Sequence, residues 1–170
     1  MRIRIRVLHL AVAIGAVFLF ATTAQAKTVS YPPHGKAAAM ADVPDSWKVT
    51  PAKDEADWTD MASPGGTILQ MRTMESDKET MKAAADETAD YIEKTYSDVA
   101  LKGEPCSING MNCSAAYGTG KEKDGTPVNI AAFVFALKDG HIGELWYVAP
   151  TADKEGVSEA TKVLGSYRSP

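Results

Sequence analysis

A chain of 170 residues, 45% hydrophobic and 24% charged, is long enough for one domain with a sizeable core. Its formal net charge is −4, from 18 basic against 22 acidic residues, and no basic cluster follows the first six positions, which excludes the basic face of a nucleic-acid binder. There is no P-loop, G-x-G-x-x-G, G-x-S-x-G or H-E-x-x-H pattern, so the chemistries those motifs serve have no anchor in the sequence.

The chain opens MRIRIRVLHLAVAIGAVFLFATTAQAK. Arg2, Arg4 and Arg6 make a positive start, and Val7 to Ala21 is apolar apart from His9. Ala24-Gln25-Ala26 follows as a small-residue cleavage pattern. This is the anatomy of a secretory signal peptide over 1–26, cut between Ala26 and Lys27. The apolar run is shorter than the ~20 residues of a spanning helix. No cysteine sits just after the cut to carry a lipid, so no stable membrane anchor is expected after cleavage. The arginines alternate and are not paired, which favours the general secretory route. An exported protein, periplasmic or secreted, is expected. Residues 27–41 mix Pro, His, Gly and Ala and read as a flexible N-terminal arm, leaving a single α+β domain over 42–170.

Pro44-Asp45 marks a turn, and Trp47 and Val49 alternate with polar neighbours as a short strand. "DWTDM" (57–61) reads as a second, the stretch 63–66 as a turn and 67–73 as a strand. The spacing predicts a helix over 76–96, with Ser76 and Glu79 as a capping box and Met81, Ala85, Thr88, Ile92 and Tyr96 as its apolar stripe. Four strands then follow, over 99–106, 111–119, 128–137 and 141–149. A closing helix runs over 152–167, capped by Thr151, with Val157, Ala160, Thr161 and Leu164 inward. The expected architecture is α+β, an antiparallel sheet of about six strands flanked by two main helices. Trp47, Trp58, Phe133, Phe135 and Trp146 are core candidates, one tryptophan being free to line a pocket.

The only two cysteines, Cys106 and Cys113, flank Asn109-Gly110. Asn-Gly is the strongest short hairpin signal, because a type I′ turn needs φ > 0 at both central residues. A two-residue loop there sets Ile108 against Met111, Ser107 against Asn112 and Cys106 against Cys113. In an oxidising compartment the two thiols bond. The spacing is not that of a C-x-x-C redox motif, and no further Cys or His lies nearby for a metal. The stapled tip, Ile108, Asn109, Gly110 and Met111, is the candidate interaction surface, for an unknown envelope protein or a small ligand.

Catalytic candidates are few. After the leader only His34 and His141 remain, in the expected arm and at a turn. Glu144 sits mid-strand beside Trp146 in "IGELWY", facing either solvent or a pocket; an alternating strand favours solvent. Met71 and Met74 read as core filler and not as copper ligands. No catalytic residue, metal or cofactor is expected. A hydrolase built on Glu144 or His141 stands as an alternative.

The "P-x-x-W" lead-in (Pro44, Trp47), the long helix after "ILQM", the four-strand run and the closing helix resemble the PsbP-like fold over about residues 42–168. That fold also carries a Ran-binding nuclear import factor and the DcrB-like envelope proteins. DcrB-like proteins are usually lipoproteins, whereas this chain lacks the lipobox cysteine. The resemblance implies a small binding or accessory domain without catalysis. The stapled tip alone is similar to the disulfide-closed loop of Ivy-type periplasmic lysozyme inhibitors, although "SINGM" lacks their central histidine. An inhibitor or immunity-type protein against a cell-wall hydrolase is therefore the second alternative, and the acidic charge suits a basic enzyme target.

Overall fold

The computed structural model describes residues 25–54 and 57–170. Residues 1–24 of the expected signal peptide over 1–26 lie outside them, and the expected cut at Ala26 and Lys27 falls at the start of the first strand. In chain order the elements are β1 (Ala26–Tyr31), β2 (Ala39–Pro44), β3 (Lys48–Thr50), β4 (Thr59–Ala62), β5 (Ile68–Met74), α1 (Lys78–Thr95), β6 (Ser97–Ile108), β7 (Met111–Lys121), β8 (Pro127–Ala136), β9 (Ile142–Pro150) and α2 (Lys154–Ser166). Seven strands form one antiparallel sheet in the order β3-β4-β5-β9-β8-β7-β6, and β1 and β2 form a separate hairpin. The α+β architecture is as expected, with one more strand in the sheet than anticipated. No helix among the described residues is long and apolar enough to cross a membrane.

The hairpin β1–β2 replaces the expected flexible arm over 27–41. Its second strand alternates, burying Ala39, Ala41 and Val43. Small alanines hid this period of two in the sequence. Tyr31 is buried with them, and β2 is tied to the end of the chain through Met40 and Arg168. The Arg168 guanidinium makes a paired contact with the Asp42 carboxylate at 3.0 and 3.1 Å. That contact, with the Thr28 hydroxyl, holds the Asp42 carboxyl below its ordinary value.

The two sheet faces are covered unequally. On one face the hairpin, Trp47 and α2 close over Leu69, Met71, Phe133, Phe135 and Leu145. α2 is capped by Asp153, not Thr151, because the Asp153 carboxylate accepts from the Gly156 N–H at 3.0 Å. Its buried residues are Gly156, Ala160 and Val163, while Thr161 is exposed and donates back to the Val157 carbonyl. Tyr167 packs on Phe135 with centroids 4.6 Å apart. Gly143 is required beneath it, since a Cβ there would meet the Tyr167 hydroxyl at 2.2 Å.

The other face carries α1. Strands β5 and β6 run parallel, four strand positions apart, so about 19 Å separates them across the sheet. An 18-residue helix, about 27 Å long, makes that crossover. Its cap is Asp77, not Ser76: the Asp77 carboxylate accepts from the Glu79 and Thr80 N–H groups at 3.0 and 2.9 Å. Of the expected apolar stripe only Ile92 is buried; Met81 and Ala85 are exposed, and Thr88 and Tyr96 half-buried. The cluster beneath α1 is small: Ile92, Val128, Ile130, Trp146 and Val148, with Trp58 and Tyr96 at its edge.

The β6–β7 hairpin has the expected register, with Cys106 opposite Cys113 and Ile108 opposite Met111. The two cysteines are bonded. Asn109 and Gly110 have φ of +51° and +74°, as a type I′ turn requires.

Candidate functional site

The stapled tip does not protrude. Met111 is 4% exposed, and Ile108 packs against the main core. The Asn109 side-chain amide donates to the Gly165 and Tyr167 carbonyls at 2.7 and 2.9 Å. These two carbonyls lie at the C-terminal end of α2, where a helix leaves acceptors without partners. Asn109 and Gly110 are exposed, while of the two apolar side chains expected to form a contact surface Met111 is buried and Ile108 half-buried against the core.

The open chemistry lies on the α1 face instead. Strand register builds it in two rows. Gln70 stands between Asp60 on β4 and Trp146 on β9, and Arg72 stands opposite Glu144. Directly opposed residues on one face are contact neighbours. Trp58, just before β4, reaches the same rows, and the Arg72 guanidinium lies over its ring, 4.1 Å from the centroid. From above, α1 supplies Glu87, Thr88 and Tyr91, whose spacing puts them on one helix face.

Glu144 is neither solvent-facing nor free. It is 2% exposed. One carboxylate oxygen accepts from Arg72 Nε at 2.9 Å, the other from the Thr88 hydroxyl at 2.7 Å. Arg72 Nη2 donates to Glu87 at 3.0 Å. The Gln70 side-chain amide donates to Asp60. A mid-strand glutamate looked exposed because the crossover of α1 leaves no mark on strand periodicity. The available signal was Arg72, mid-strand on the neighbour β5, as its counter-charge.

Between this layer and α1 a cavity of about 270 Å³ remains, lined by Trp58, Gln70, Glu87, Thr88, Tyr91 and Trp146. Trp146 meets Trp58 at 6.5 Å and Tyr91 at 5.3 Å, with interplanar angles of 75° and 70°. Tyr91 is 48% exposed and forms the rim. Behind it, burial, then Tyr91 and Glu122, push the Tyr96 hydroxyl up to about 12, so it stays neutral at physiological pH. On the opposite flank of α1 a second cavity of about 230 Å³ is lined by Met74, Met81, Ala84, Val134 and Ile142, with Glu144 at its base. The helix is thus undercut on both sides. Of the expected pocket pair, Trp146 lines the first of these cavities and Glu144 the second. Trp58 and Tyr91 were missed as site residues.

The histidines stand apart. His34 is exposed in the β1–β2 connection. His141, at the β8–β9 turn, lies between Asp139 at 3.2 Å and Glu75 at 3.5 Å and lines neither cavity under α1. Met71 is buried in the main core. Among the described residues no group of three or more His, Cys, Asp or Glu side chains is placed to hold a metal ion. The acidic and basic groups beneath α1 are engaged with one another.

No family model matches the chain, and no curated protein matches its sequence. Solved structures do match in shape. Cyanobacterial PsbP (CyanoP) from Synechocystis sp. PCC 6803 is similar with a TM-score of 0.61 at 12% identity, over 93% of this chain and 98% of that one. LpqN, involved in cell envelope biogenesis of Mycobacterium tuberculosis, is similar with a TM-score of 0.56 at 13% identity, over 86% of this chain and 91% of that one. A protein of Bacteroides thetaiotaomicron VPI-5482 matches with a TM-score of 0.56 at 12% identity, over 86% of this chain. This chain spans about half of that protein's length, 49%. The chain has the PsbP-like fold, as its element order and P-x-x-W lead-in implied. Identity this low carries the fold and nothing of activity.

Proposed function

We propose that this protein is an exported, non-enzymatic accessory domain of the cell envelope that binds a small ligand or a partner's side chain in the cleft beneath α1. The observation that carries the reading is the cavity walled by Trp58, Tyr91 and Trp146, open at Tyr91 and floored by mutually satisfied charges. A concave, largely aromatic site with a few fixed polar groups is the usual form of a binding pocket. The leader over 1–26 supports export, and the fold shared with LpqN suits an envelope role. Against an enzyme stands the pairing of Glu144 with Arg72 and Thr88, which leaves the buried carboxylate no role as acid or base.

The chain's three tryptophans provide the test. Trp58 and Trp146 line the cleft, whereas Trp47 lies on the opposite face with its indole N–H donating to Glu159 at 2.6 Å. In a fragment titration followed by ¹H–¹⁵N NMR of the indole groups, binders are expected to move the Trp58 and Trp146 signals and leave Trp47 unmoved. Fragments that bind while shifting only Trp47 or the β6–β7 tip would overturn the assignment, as would a diverse library with no binder.

A further inference from the structure

We infer that the cleft selects an organic cation, an alkylated ammonium head on a short apolar stem, carried by a free small molecule or by a modified lysine of a partner. This rests on the cleft being the binding site. Three aromatic rings from separate elements meet at one cavity, two of them steeply inclined to the third. Aromatic faces carry negative potential, and a cation held among several of them recovers part of the hydration it loses.

The fold already uses the same attraction once, for the Arg72 guanidinium stands over the Trp58 ring. The charge balance points the same way. Among the described residues lining the cavity Glu87 is the one charged side chain, and no lysine or arginine is among them. A carboxylate with no lining cation beside it suits a cation better than an anion.

The Gln70 amide donates to Asp60, the Thr88 hydroxyl to Glu144, and the Glu87 carboxylate accepts from Arg72. One donor or acceptor of each is thus already engaged within the protein. An alkylammonium head needs no directional bond, only ring faces and a nearby carboxylate. The cavity, about 270 Å³, has room for on the order of nine waters, a space suited to a group the size of choline.

The experiment titrates the full mature protein with choline, with dimethylbutanol as its uncharged isostere, and with a short peptide carrying trimethyllysine, all read at the indole signals. Choline or the peptide should bind about 5- to 30-fold more tightly than dimethylbutanol. The tighter of the two identifies the source, free ligand or protein side chain. Tyr91→Leu keeps an apolar rim and should abolish the preference, and Glu87→Gln should weaken the cations while leaving the neutral isostere unchanged. Equal affinity for choline and dimethylbutanol at Trp58 and Trp146 would overturn the cation assignment and leave the cleft standing as the site. Tighter binding of a polyhydroxyl or anionic fragment at the same signals would overturn it too. If no ligand of any class moved those signals, the cleft itself would fall.

Discussion

Replacing Arg72 by methionine tests the layer beneath α1 most directly. Methionine keeps an unbranched apolar stem, so the variant removes the charge, the hydrogen bonds and the guanidinium stacked on Trp58. Glu144, 2% exposed, then keeps a single donor, the Thr88 hydroxyl. Breaking a buried ion pair from one side costs about 3–5 kcal/mol, because the remaining charge is buried without its partner. For a domain of this size that is a fall in Tm of about 10–15 °C. The double variant Arg72→Met/Glu144→Met removes both charges. Thr88 is half-exposed and Glu87 is exposed, so water can replace their lost contacts. The double variant should therefore lie within about 1 kcal/mol of the parent. Urea unfolding followed by circular dichroism measures all three proteins. A single variant that loses less than about 1 kcal/mol, or a double variant no more stable than the single, would refute the burial and pairing derived for Glu144.

The hairpin tip gives a second expectation: Asn109→Gly keeps the left-handed turn but loses two hydrogen bonds to the end of α2, costing about 1–2 kcal/mol. Asn109→Ala should cost about 1 kcal/mol more, through its positive φ, and urea midpoints compare the two. On the acid side, the Thr67 hydroxyl, then the Gly156 N–H and Ser63, hold the Asp153 carboxyl below its ordinary 3.8. Its folded value lies below its unfolded one, so its contribution is complete above that unfolded value and is lost as pH falls through the folded value. Asp153→Asn, which still caps α2, should flatten the loss of stability below about pH 4. Finally, the Tyr167 hydroxyl is buried with no hydrogen-bond partner among the described residues. Tyr167→Phe should leave stability unchanged or raise it by up to about 1 kcal/mol, and a clear loss in thermal unfolding would mean the hydroxyl has a partner.

The parts of the fold that could be read from sequence are those whose cause is local. Asn109-Gly110 fixes a register by itself, and every pairing from Cys106 to Cys113 follows from it. The strands β6 to β9 follow from alternation and turns. The β1–β2 hairpin was hidden because its inward residues, Ala39 and Ala41, carry little hydrophobic signal next to the prolines and glycines around them. The site was hidden for a different reason. Arg72 and Glu144 are far apart in sequence and meet only because β5 pairs with β9, a pairing between strands separated in sequence by α1 and three strands. Trp58 and Tyr91 join them through a loop and a crossover helix, neither of which strand periodicity can place. The tip was read as a contact surface for want of the two α2 carbonyls that hold Asn109.

The unequal cover of the sheet separates rigidity from adaptability. On the α2 side, displacing any element exposes a continuous core, so those amides exchange with solvent only through global unfolding. On the α1 side one buried isoleucine and a few side-chain bonds hold eighteen residues in place. A local opening of α1 therefore lies far below the global free energy, and the slow-exchanging core is not disturbed by it. Guests of different width can be admitted by tilting one helix, while the strands that carry Arg72, Glu144 and Trp146 keep their register. For the proposed cleft, a ligand that settles this helix would draw part of its affinity from that ordering.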